Sequence, residues 1–214
     1  MKKIKKVLLA LLTFALIWCA PLSSAKTGAA VNYKKLYKNF LKKSSVVTVS
    51  FHGGKYRERI YPRYFALVDV NKDGIKELII AQDKSVWDYY VFTVKKRKVQ
   101  FAGYIINKYG AKNKYGVGRI TYNKKKRGLI ALYGGSGCSG NGFFVMKNGK
   151  LKETHETCIF YNRKTTYEYN YKPCSKKKHI KCYNAYFNRI KNRSHFVYYD
   201  FIKKTNKNIA KKLG

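Results

Sequence analysis

Along the chain, apolar residues repeat first at a helical interval and then, over most of the remaining length, in short runs and alternations typical of strands. Val31, Leu36, Tyr37, Phe40 and Leu41 fall on one helical face, so residues 31–41 predict an amphipathic helix that ends before Ser44. Ser45 to Phe51 is rich in β-formers and runs into the turn His52-Gly53-Gly54. Tyr64 to Val68 and Leu78 to Ala81 are short apolar runs on either side of a turn signal. Tyr89 to Lys95 and Lys98 to Ile106 form a hairpin pattern with a basic tip. A second basic tip, Lys124 to Arg127, joins Arg119–Tyr122 to Gly128–Tyr133. Asn148-Gly149 between Phe143–Lys147 and Leu151–Thr154 is the strongest two-residue hairpin signal in the chain. Cys158 to Tyr161 and Thr165 to Tyr171 predict a further hairpin.

Ser175 then reads as an N-cap for a helix with Ile180, Tyr183, Phe187 and Ile190 on its apolar stripe. Phe196 to Ile202 predicts a strand, and Thr205 caps a final helix to Leu213. This order is an α+β fold: a meandering antiparallel sheet with an N-terminal helix and two C-terminal helices.

The first 25 residues read as an address. Lys2, Lys3, Lys5 and Lys6 precede an apolar run from Val7 to Ala20, and Ser23-Ser24-Ala25 supplies small residues for cleavage. Residues 1–25 are therefore expected to be a signal peptide and residues 26–214 one α+β domain, secreted, extracellular or cell-wall associated. A spanning helix needs about 20 apolar residues, and no later run reaches that length, so no membrane span is expected after cleavage.

Charge sharpens the picture. The whole chain carries a formal +37; losing four leader lysines while keeping all 10 acidic residues leaves +33. Such an excess draws anions to the surface, so the expected partners are anionic polymers: wall polymers, polysaccharide or nucleic acid. A lysine-rich coat without a dedicated partner is the other reading of the same composition.

One short segment carries specific chemistry. Asp69-Val70-Asn71-Lys72-Asp73-Gly74-Ile75-Lys76-Glu77 places oxygen side chains at its first, third, fifth and ninth positions. Gly74 allows a sharp bend, and Ile75 can offer a backbone carbonyl. Calcium takes about 6–8 oxygens at about 2.3–2.6 Å, which such a turn can gather, with water completing the shell. Lys72 and Lys76 fall where side chains should point away from the ion. The twelfth position is Ile80, not the bidentate Glu of an EF-hand, and the flanks have strand rather than helix character. The bend is therefore expected between two strands.

The stretch Tyr64 to Ile80 resembles the calcium loops of FG-GAP and VCBS-type repeats. It is also similar to a group of exported proteins of Gram-positive anaerobes with a single D-x-N-x-D-G-x-x-E-L segment, whose tail Phe201 to Asn208 likewise resembles. The resemblance implies calcium ligands at Asp69, Asn71, Asp73, the Ile75 carbonyl and Glu77. A β-propeller is not implied, because only one such loop occurs.

Other residues suggest weaker chemistry. Cys138, Cys158, Cys174 and Cys182 follow the leader, and an even set in an exported chain permits two disulfides in any of three connectivities. Cys174 with Cys182 is disfavoured, since a helix from about residue 176 would hold them roughly 10–12 Å apart. His155, Cys158, Cys174, His179 and Cys182 fit no strong zinc spacing. The glycine-rich run Gly134–Gly142 reads as a binding loop. An alternative function is a hydrolase acting there, with Cys138 as nucleophile and His155 or His195 as base. Glu58, Asp83, Asp88, Glu153, Glu156, Glu168 and Asp200 offer no pattern that selects a catalytic pair. Tyr167, Tyr169 and Tyr171 alternate along one strand face, either as sheet packing or as a stacking platform. No enzymatic activity is assigned from this sequence.

Overall fold

A computed structural model describes residues 32–51, 54–82, 88–105, 119–135, 137–161 and 164–214. The expected signal peptide, the His52-Gly53 turn and Asp83 lie outside the described residues. Helix α1 (Tyr33–Leu41) leads into the hairpin β1 (Ser45–Phe51) and β2 (Gly54–Ile60). Four strands follow: β3 (Tyr64–Val68), β4 (Glu77–Ala81), β5 (Tyr89–Lys95) and β6 (Lys98–Ile105). A longer meander comprises β7 (Arg119–Asn123), β8 (Gly128–Gly135), β9 (Cys138–Lys147), β10 (Lys150–Tyr161), β11 (Thr165–Tyr169) and β12 (Lys172–Pro173). The chain ends with α2 (Lys176–Tyr186), a 3-10 turn (Arg193–His195), β13 (Phe196–Asp200), β14 (Ile202–Lys203) and α3 (Asn206–Leu213).

The expected α+β class holds, and the meander is divided between two antiparallel sheets beside the β1–β2 hairpin. One sheet has five strands in the order β14-β3-β4-β5-β6, the other seven in the order β12-β11-β10-β9-β8-β7-β13. Side-chain alternation shows how the layers are built. Ile79, Ala81, Tyr89 and Val91 from the first sheet meet Ile120, Tyr122, Leu129, Ala131 and Phe144 from the second in one core between the sheets. On the outer face of the five-stranded sheet, Phe92 lies 4.7 Å from Phe40 between ring centroids, and the Tyr37 hydroxyl donates to the Phe92 carbonyl. Helix α1 also packs on α3, where Ile209 and Leu213 are buried. On the outer face of the seven-stranded sheet, Ile130 and Phe143 meet Cys182 and Phe187. Both faces of β4 are thus covered, and all five of its residues are buried. Among the described residues, no helix is long and apolar enough to cross a membrane.

Local chemistry explains the element ends. Asn32, Ser175 and Thr205 each accept a hydrogen bond from the backbone N–H three residues on, capping the three helices. Lys96 and Arg97 both have positive φ, so the β5–β6 tip is a tight turn made from two basic residues.

Four sequence expectations are corrected. The stripe expected on α2 is only half used: Phe187 is buried and Tyr183 packs beside it, but Ile180 is 44% exposed and Ile190 95%, while His179 and Cys182 face the sheet. The helix stops at Tyr186, so Ile190 lies beyond its last turn. The strand expected over Phe196–Ile202 is broken at Phe201, which sinks into the core and carries the chain from one sheet to the other. Leu151–Thr154 and Cys158–Tyr161 belong to one strand, β10, with a register shift between Glu153 and His155. Most of the glycine-rich run expected as a loop is paired, with Gly134 opposite Ser139 and Gly135 opposite Cys138. Glycine is needed in that ladder, because a Cβ on Gly140 would sit 2.8 Å from the Thr157 carbonyl oxygen.

Candidate functional site: the loop between β3 and β4

The segment Asp69–Lys76 joins two strands whose pairing ends at Val68 opposite Glu77. The sequence expectation of a strand-flanked bend is met, and the register brings the first and last candidate ligands, Asp69 and Glu77, to the same end of the hairpin. Within the bend the side chains satisfy loop amides. Asn71 Oδ1 accepts from the Asp73 N–H at 3.3 Å, and Asp73 Oδ1 accepts from the Ile75 N–H at 2.8 Å. These are Asx turns, the local bonds that short amide and carboxylate side chains make to backbone two residues on. Asp69 Oδ2 reaches across the bend and accepts from the Gly74 N–H at 3.2 Å. The Asn71 side-chain amide donates to Asp73 Oδ2 at 2.9 Å. Lys72 and Gly74 adopt φ of 63° and 87°, which glycine reaches freely and lysine only at a cost of about 1–2 kcal/mol.

Glu77 is the unusual member. It has no exposed surface, yet it carries a carboxyl group. Its Oε2 accepts from the Val70 N–H at 2.9 Å, and its Oε1 accepts from the Thr93 hydroxyl at 3.2 Å. Burial pushes its pKa up to about 7, and the nearby Asp73 charge adds to the rise. The Val70 peptide is held from both sides, since its carbonyl accepts from the Tyr122 hydroxyl at 3.2 Å. The Lys72 ammonium lies 5.3 Å from the Tyr122 ring centroid. Burial first, and then the Glu77 charge, also raise the Tyr37 pKa.

The donor set suits a hard cation in its chemistry, since all five candidate ligands offer oxygen. One oxygen stands out: Asp69 Oδ1 is buried and has no hydrogen-bond partner. Its sister oxygen is committed to Gly74, so Oδ1 is the atom with ligating capacity to spare. Among the described residues, however, no three His, Cys, Asp or Glu side chains are grouped as a ready metal cluster. Glu77 turns its carboxylate toward Val70 and Thr93, and Asn71 and Asp73 are engaged with loop amides. A calcium ion would therefore have to draw on amide and carbonyl oxygens and water as well.

Thr93 and Tyr122 were not among the sequence candidates. Thr93 could have been found as the one aliphatic hydroxyl in the otherwise aromatic and aliphatic run Tyr89–Val94. Tyr122 carries no such signal, because its contact to Val70 crosses between sheets.

The other candidate constellations are not assembled. Cys138 lies opposite Phe160 on the β9–β10 ladder, whereas His155 lies opposite Phe143, five residues away and thus about 16 Å. His195 precedes β13, which is separated from β9 by β8 and β7. His155 instead stacks on Tyr186 at 3.8 Å, where burial and the Lys126 charge lower its pKa. Cys138, Cys158, Cys174 and Cys182 carry thiols, with no disulfide among them. Burial raises the Cys182 pKa to about 11, keeping it protonated and a poor metal ligand or nucleophile. The Tyr167 ring packs on His179 and Tyr169 against the α2 cluster, so those two serve packing.

The structure also gathers groups that no sequence pattern selected. Glu58 accepts from the Tyr90 hydroxyl and from Gln82 Nε2, and Gln82 Oε1 accepts from the Tyr61 N–H. Separately, Lys42, Lys43, Ser44, Tyr61, Pro62 and Lys204 line a hollow of about 310 Å³ with no carboxylate on its wall. Among the described residues, exposed basic residues occupy all three helices and the β5–β6 and β7–β8 turns and flank the β9–β10 turn at Lys147 and Lys150, so the positive charge is distributed rather than gathered on one element.

Compared with protein-family models, curated proteins and solved structures, the chain matches none of them.

Proposed function

We propose that the chain is an exported, basic, non-enzymatic module that binds anionic extracellular or cell-surface polymers and is stabilised by one calcium ion in the β3–β4 loop. The observation that carries the calcium reading is the buried, unpartnered Asp69 Oδ1 beside the fully buried Glu77. An acceptor left alone in this way costs about 1–3 kcal/mol, and a cation bound to it offsets that cost. Asp69, Asn71, Asp73, the Ile75 carbonyl and Glu77 would hold the ion, whose contribution when bound is charge neutralisation and rigidity of the bend. The polymer reading rests on the net charge and on the lysine-lined hollow at Lys42, Lys43 and Lys204. Because the basic coat is spread out, selectivity belongs to such local sites.

Open-chain extracellular calcium sites work at about 10⁻⁴ M. At 10 mM calcium, about 100 times that constant, linkage gives about 2.7 kcal/mol of stabilisation. For a domain of this size that raises the melting temperature by roughly 5–10 °C. Calorimetric titration and thermal melts of chelator-treated protein measure both effects, and the absence of heat and of a melting shift refutes the calcium reading. Binding to teichoic acid, heparin and DNA is expected at low salt and is lost steeply as salt rises. No binding to any of the three at low salt refutes the polymer reading.

A further inference from the structure

Where the chain crosses from one sheet to the other it leaves a groove of about 400 Å³ between the edges of β13 and β3. β14 pairs with β3 only at Phe65 and Tyr64, so beyond that point no strand among the described residues is hydrogen-bonded to this edge of β3. The Lys204 N–H to Arg63 carbonyl bond sets the alternation, which aims the Leu67 peptide groups toward the groove. The opposite wall is Tyr198, Tyr199 and Asp200. Tyr198 is 45% exposed, a large aromatic face that the core does not use. Lys76 stands where the candidate calcium loop runs into β4, and Lys212 lines the groove from α3.

We propose that this groove binds an acidic oligosaccharide, a chain of sugar rings bearing carboxylates, and the proposal rests on the polymer-binding reading above. Three features select this class. An exposed tyrosine ring offers a flat apolar face on which the C–H side of a pyranose stacks. Two ammonium groups, from different elements, match separated negative charges. The Leu67 peptide groups on the β3 edge supply a donor and an acceptor for sugar hydroxyls, of which a phosphodiester backbone offers fewer. The volume lies within the range of about 300–1,000 Å³ usual for small-ligand sites. Because Lys76 belongs to the candidate calcium loop, ordering that loop would also fix one of the two cationic contacts.

The test is calorimetric titration of the full chain with trigalacturonate, with maltotriose and a glycerol-phosphate trimer as comparisons. The uronate is expected to bind, and the other two at least about ten-fold more weakly. Tyr198→Ala is expected to weaken uronate binding about ten-fold or more, Tyr198→Phe to retain it, and Lys212→Ala to weaken it several-fold. Lys177→Ala, on α2 against the other sheet and away from both hollows, is expected to bind as wild type. Thermal melts establish that each variant is folded, which the exposure of Tyr198 favours. Equal binding of maltotriose or of the phosphate trimer overturns the proposal. So does wild-type uronate affinity in Tyr198→Ala. If heparin, teichoic acid or DNA still binds in that case, the groove assignment fails while the polymer reading stands. If no anionic polymer binds at all, both fail.

Discussion

Replacing Glu77 by glutamine removes one negative charge from a side chain with no exposed surface while keeping its length. The geometry survives the change. A glutamine oxygen accepts from the Val70 N–H as Oε2 does now, and its amide donates to the Thr93 hydroxyl in place of the present bond. What changes is the cost of ionisation. The folded-state pKa rises from 4.5 to about 7 through burial, then the Asp73 charge, and each unit is worth about 1.36 kcal/mol. The ionised carboxylate therefore costs the metal-free fold about 3 kcal/mol at pH 8. The sign follows from which state holds the proton more tightly. Below about pH 4.5 the carboxyl is neutral in both folded and unfolded chains. Between about 4.5 and 7 the folded protein binds more protons, so stability is lost as pH rises, and above 7 the loss is complete.

Thermal melts in chelator at pH 4 and pH 8 measure this directly. At pH 8 Glu77→Gln is expected to melt roughly 6–12 °C above the native protein, and at pH 4 the two should coincide. In 10 mM calcium at pH 8 the difference should shrink or reverse, because the native carboxylate then gains a cation and the amide gains less. A variant less stable than the native protein in chelator at pH 8 would refute the reasoning, since it would mean that the charge is already compensated within the fold.

Two further predictions concern the frame that holds the loop. Gly140→Ala places a Cβ 2.8 Å from the Thr157 carbonyl oxygen, a backbone atom that cannot swing aside. It should destabilise by about 1–3 kcal/mol in denaturant unfolding, with an unchanged melting temperature counting against it. Phe187→Ala empties a fully buried site between Phe143 and α2 and should cost about 3–5 kcal/mol by the same measurement, with calcium response retained.

Tyr64–Val68 was readable to the residue because a five-residue apolar run between polar neighbours admits few alternatives, and the bend after it announced itself through Asp, Asn and Gly. The failures share a cause. Ile180 and Ile190 fit a helical stripe on paper, but the helix ends at Tyr186 and its register turns His179 and Cys182 inward. Nothing in a local window reveals which face a neighbouring sheet will cover. β2 escaped notice because Lys55, Tyr56, Arg57 and Arg59 are exposed: it pairs only with β1 and is polar enough to read as a loop. Phe201 looked like the middle of one strand because alternation continues through it, whereas the structure uses it as the crossing point between sheets.

The candidate site divides along the same line. Its five candidate ligands lie within nine residues and could be chosen from spacing alone. The groups that determine their energetics, Thr93 and Tyr122, arrive from β5 and from the other sheet and left no local mark. The burial of Glu77 follows from that placement. Its residue type suggests a solvated ligand at a loop end, but its register opposite Val68 puts it on the inner face with Ile79 and Ala81. If the loop takes up an ion, its affinity is set by the packing of the two sheets, and mutations at Thr93 or Tyr122 should alter it without touching any candidate ligand.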